Sequence, residues 1–240
     1  AKYNDRNQTP IPINGTDPYA NVDGTRNPHY LTLRDVAPVI GWFYNPKLGQ
    51  VWYENRHNNT EVYSVRQMAE PAIPAAPKFG GLVIAKVPGM NGSDGNVFFG
   101  EWAPRKGNPP QNSTDLNMAD GKRTVWYVGD NPTRNMPKLV NAKYNVLGVN
   151  KHTPGRNDFY TGTLTANYGT GSGSLTGSIS RPGDSVNFAG TNIRSNGTFD
   201  NGKANEHITG RFYGSGAEAL AGIVDRAGVD KDIAFGGRKQ

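Results

Sequence analysis

A chain of 240 residues without a cysteine excludes disulfides, thiolate metal sites and a cysteine nucleophile, yet is long enough for one or two domains with sizeable cores. Twenty-six Lys and Arg against twenty Asp and Glu leave it at +6, but the cations are spread singly from Lys2 to Lys239, which argues against a nucleic-acid interface and for an ordinary solvated surface. No apolar run reaches the roughly 20 residues that a membrane-spanning helix needs, so the chain is not expected to be membrane-embedded.

Thirty-one glycines and seventeen prolines, with plentiful aromatics, mark a turn-rich chain, and period-two alternation makes it all-β rather than disordered. The first 35 residues are rich in Asn and Pro, with turn signals at Asn14-Gly15 and Asn27-Pro28. Regular structure is expected from near Tyr30. Short apolar runs at 39–44, 51–53, 62–65, 82–87 and 97–99, separated by Pro- or Gly-bearing loops, predict a small antiparallel sheet. The polar stretch 104–121, with Pro109-Pro110, marks the expected boundary between a front domain, 1–120, and a rear domain, 121–240.

From residue 122 onward the alternation is clean. Val140, Ala142, Tyr144 and Val146 are expected on one face of a strand, with Asn141, Lys143 and Asn145 on the other. Tyr160, Gly162, Leu164, Ala166 and Tyr168 follow, and the glycine-rich stretch 169–173 turns the chain back. Leu175, Gly177 and Ile179, then Val186 and Phe188, then Ile208, Gly210 and Phe212 continue the pattern. Glycines interleaved with bulky residues on the inward phase suit a narrow closed barrel. Counting 124–128 as the first strand and 233–235 as the last predicts about eight antiparallel strands.

The C-terminal blocks Phe-Tyr-Gly-Ser-Gly-Ala-Glu-Ala-Leu-Ala-Gly, 212–222, and Ala-Phe-Gly-Gly-Arg-Lys, 234–239, resemble the closing strands of the small barrel in transferrin-binding protein B and its relatives, proteins exported by the Slam system. Within that group the chain is similar to the hemophilins, secreted haem-binding proteins in which a front "handle" domain, carrying the haem, packs on the barrel. The resemblance implies a hemophore for iron acquisition, an outer-membrane haem receptor as a partner, and host haemoglobin as a further partner. It also implies secretion, because the lipid-anchoring cysteine of the surface-bound relatives is missing, or a cell-surface location if an anchor has been removed.

Candidate ligands come from chemistry. Trp42, Tyr44, Trp52 and Tyr53 fall within about two strands and a loop that also holds His57; aromatics offer faces for a flat macrocycle and a neutral imidazole can ligate its iron. Aromatics in strands also serve as plain core residues. His57 with His29 is the expected axial pair, with Tyr30 or Tyr44 as replacement and His152 as a loop alternative. His207 should point outward from the barrel. Arg56 and Lys47 are candidates for the haem propionates. An enzyme is not expected: Gly171-Ser172-Gly173 lies in a hairpin rather than a nucleophile elbow, and neither a His-Glu-X-X-His helix nor a phosphate-binding loop occurs. The alternative is a binder of host transferrin, haemoglobin or a complement regulator without a haem site.

Overall fold

The computed structural model describes residues 50–56, 60–66, 81–90, 95–103, 121, 123–153 and 156–240. Their regular structure is β, with one 3-10 turn at Val229–Lys231. Five strands, β1 (Gln50–Arg56), β2 (Thr60–Arg66), β3 (Gly81–Lys86), β4 (Val97–Ala103) and β5 (Thr124–Gly129), form an antiparallel meander in sequence order. Four coincide with the apolar runs beginning at 51, 62, 82 and 97; the run at 39–44 lies outside the described residues. The fifth corrects an expectation. Residues 124–129 belong to this front sheet and not to the barrel, because β5 pairs along its whole length with β4, from Val97↔Gly129 to Trp102↔Thr124. All six of its residues are buried, as two-sided cover requires.

The remaining strands, β6 (Leu139–Val149), β7 (Tyr160–Gly169), β8 (Ser172–Arg181), β9 (Asp184–Asn187), β10 (Thr191–Arg194), β11 (Thr198–Asp200), β12 (His207–Tyr213), β13 (Ala219–Asp225) and β14 (Ile233–Lys239), make one antiparallel sheet. The last half of β8 pairs with β9 and its first half with β10, so these two short strands act as one interrupted strand and close the ring. The result is an eight-stranded barrel. Its hairpins use the expected chemistry: Thr170 and Gly171 both adopt positive φ at the β7–β8 turn, and Pro182-Gly183 turns β8 into β9 with Gly183 at φ 87°.

Inward residues follow the predicted phase on β7, β8, β9 and β12, where Leu164, Leu175, Ile179, Val186, Ile208 and Phe212 are fully buried. Glycines make room for rings: a Cβ on Gly210 would lie 2.5 Å from the Phe199 ring, and one on Gly222 2.7 Å from Phe235. Phe199, Phe212, Tyr144, Phe188 and Phe235 then meet largely edge-on, with centroids 5.1–5.6 Å apart in the T-shaped pairs. The start of β6 departs from expectation. Val140 is 70 % exposed while Leu139 is buried, because a bulge between Leu139 and Ala142, with Asn141 at φ 48°, inverts the alternation there. The bulged Asn141 N–H donates to Asn167 Oδ1 at 2.8 Å.

The front sheet lies on the outside of the barrel. Val83, Ala85, Val97, Phe99, Val125 and Tyr127 pack against Leu147, Val149, Ala219, Ala221, Ile223 and Ala234 in a second core. Small residues flatten the barrel wall here, and Gly236 admits Phe99, whose ring atoms would lie 2.5–2.6 Å from a Cβ at that position. A buried ion pair anchors the junction: Arg123 Nη2 donates to Glu101 Oε2 at 2.6 Å, and Glu101 also accepts the backbone N–H groups of Lys151 and His152 at 2.8 Å. Arg123 Nη1 donates to the Val229 carbonyl at 2.6 Å, so one network spans β4, the segment before β5 and two barrel loops.

Candidate functional site

Opposite this anchor, at the end of the front sheet where β1 turns into β2, sheet and barrel diverge into a groove of about 670 Å3. Its front wall is Thr60 and Glu61 at the start of β2, Lys86 at the end of β3, and residues 87–90 beyond it; its back wall is the β6–β7 surface around Leu147 and Gly162, with Arg238 and Lys239 of β14. Val87 and Met90, both almost fully buried, form part of an apolar floor. Local chemistry explains the rim. Gly89 turns the chain at φ +69° with the Arg238 side chain 3.2 Å from where a Cβ would sit, and Arg238 Nη1 donates to the Gly89 carbonyl at 2.8 Å and contacts Met90 Sδ at 3.3 Å. Lys239 Nζ donates to the Gly216 carbonyl at 2.8 Å. Three cations against the single carboxylate of Glu61 make the groove electropositive.

A second hollow of about 550 Å3 opens at one end of the barrel, around Tyr160, Arg181, Asp184 and Arg226. Its charges satisfy one another. Arg226 forks onto Asp184, at 2.5 and 3.0 Å, and onto Glu206 at 2.8 Å, and Tyr160 hydrogen-bonds to Asp184. Hydrogen bonds from Arg226 hold the Asp184 carboxyl well below the usual carboxylate range, against the opposing pull of burial. Arg181 lies over the Tyr160 ring, 4.4 Å from its centroid, and donates to Asn150. Burial similarly pushes the Tyr160 hydroxyl upward. This network ties β7, β8 and β9 to the segment after β13.

Residues 134–239 match the family model of the HphA C-terminal domain. The match supports a protein of the hemophilin type. The barrel that the resemblance predicted is therefore the HphA C-terminal domain, and this domain supplies the back wall of the groove. Hemophilins as a family are associated with haem. The residues present suit that group in three respects: the groove volume falls within the roughly 300–1,000 Å3 usual for ligand pockets, its floor is apolar, and its rim carries cations for a dicarboxylate.

Of the residues expected at the site, Trp52, Tyr53 and Arg56 stand on β1, the outermost strand of the front sheet, paired in register with Ser64, Tyr63 and Thr60. His57, His29, Tyr30, Trp42, Tyr44 and Lys47 lie outside the described residues, but Arg56 and Thr60 flank His57 in the chain and Thr60 lines the groove. The two histidines of the HphA C-terminal domain have structural partners. His152 is 2 % exposed, stacked on Phe159 at 4.4 Å, and its Nδ1 is hydrogen-bonded to Asp158. His207 stands half-exposed on the barrel exterior, as expected, with Nε2 3.0 Å from Asp200. Sequence reading missed Lys86, Arg238 and Lys239. They are up to 153 positions apart along the chain, and nothing in their local motifs announces convergence; the Gly-Gly-Arg-Lys block ending at Lys239, which resembles a closing strand of the transferrin-binding protein B barrel, was the one available signal.

Proposed function

We propose that this protein is a secreted hemophore that captures haem in the groove between its front sheet and its HphA C-terminal domain, for delivery to an outer-membrane receptor. The observation that carries the reading is the HphA C-terminal domain match, which brings the family's association with haem to a chain whose electropositive groove is lined by the start of β2. In this reading His57 and His29 offer the axial nitrogens, and Trp42, Tyr44, Trp52 and Tyr53 cover the ring. Bound haem would supply an iron centre that accepts nitrogen donors. The chain's own contribution is binding: apolar burial at about 25 cal/mol per Å2 as an upper guide, an aromatic cover that excludes water, and a neutral imidazole held ready. No turnover is involved. Haem released from host haemoglobin is the proposed source.

Titrating the protein with ferric haem and following the Soret band tests this. A sharpened, shifted band saturating at one equivalent is expected, and His57→Ala should weaken binding or change the band to that of a five-coordinate iron. An unsaturable, unshifted band in the wild-type protein would discard the haem reading; an unchanged spectrum in His57→Ala would discard the ligand assignment alone.

A further inference from the structure

We propose that Lys86 and Arg238 form a carboxylate-binding rim on the groove and hold the two propionates of a bound porphyrin, an inference that rests on the haem reading above.

Three cations line the groove, and one is already engaged, since Lys239 donates to the Gly216 carbonyl. The other two are not. Lys86 is half-buried, and its ammonium has no hydrogen-bond or ion-pair partner among the described residues. Glu61 faces it in strand register without closing an ion pair. Arg238 is also half-buried and spends Nη1 on the Gly89 carbonyl, which fixes the guanidinium plane and leaves Nη2 as a donor without a partner among the described residues. A partly desolvated cation without a partner is costly, and an arginine fork already held in plane loses little freedom on meeting a carboxylate. Two such cations, one from each wall, complement a rigid ligand carrying two carboxylates. Lys86 comes from the front sheet and Arg238 from the barrel, so one ligand would bridge both walls.

The test uses iron-free protoporphyrin IX and its dimethyl ester, whose fluorescence reports binding independently of axial ligation. The wild-type protein is expected to prefer the diacid. Lys86→Gln and Arg238→Gln should each weaken the diacid by about fivefold, the size of a solvent-facing ion pair, while leaving the diester unchanged. Arg238→Lys keeps the charge and should retain the preference even where loss of the Gly89 contact loosens the fold. Lys203→Gln, an exposed cation that does not line the groove, is the control and should leave the preference intact. Equal wild-type affinity for diacid and diester, equal losses for both ligands in the glutamine variants, or abolition of the preference by Lys203→Gln alone would each overturn the proposal while leaving haem capture standing. Failure of the wild-type protein to bind hemin or either porphyrin would overturn the haem reading and this proposal with it.

Discussion

Gly236 shows how one atom couples the two layers. A side chain there would enter the Phe99 ring, so Gly236→Ala should cost about 1–3 kcal/mol by overpacking, and Phe99→Ala about 3–5 kcal/mol through the cavity left between sheet and barrel. In denaturant titrations the alanine at 236 should become nearly neutral once Phe99 is alanine; equal costs in both backgrounds would mean the contact is not what excludes a side chain. Asp184 makes a prediction in pH. Its folded-state pKa is depressed by Arg226, so its contribution is present above the unfolded carboxylate value near 4 and is lost as pH falls below it. The stability gap between wild type and Asp184→Asn should therefore be widest at neutral pH and shrink by about pH 3. A gap independent of pH would contradict the assignment. Because the carboxylate is about a third exposed, the effect should be modest and salt-sensitive.

Among the elements, the least ordinary is the junction built from β4, the segment before β5 and the barrel loops at 150–152 and 229–232. Glu101 and Arg123 are both essentially inaccessible to solvent, so Glu101→Gln leaves a buried guanidinium without its counter-charge and should cost about 3–5 kcal/mol, read as a shift in the urea midpoint. A cost below about 1 kcal/mol would mean that Arg123 finds compensation in the Val229 and Asp232 carbonyls alone. Strand identity was legible in period-two alternation wherever one face met the core, as on β7, β8 and β12. It failed at two places for physical reasons. The bulge at Asn141 inserts one residue and reverses the phase of Val140, and alternation is blind to an insertion that satisfies its own hydrogen bonds. β5 is buried on both faces, and such a strand carries no signal of which sheet it joins.

At the level of the whole molecule, a glycine- and alanine-rich stripe on the barrel exterior receives the front sheet, the Glu101–Arg123 network holds one end of the contact, and the groove opens at the other. The barrel was legible because its closing blocks are local motifs. The groove was not, because its cations come from β3 and β14, which meet only after both sheets form; of the aromatics expected around His57, Trp52 and Tyr53 stand on β1, while His57 itself lies outside the described residues. The central claim is that sheet and barrel wall together enclose haem. A crystal structure of the protein grown with excess hemin tests it most directly: planar density is expected between the start of β2 and the β6–β7 wall. Density for hemin elsewhere with that groove empty, or no flat density at all with every histidine uninvolved, would contradict the account.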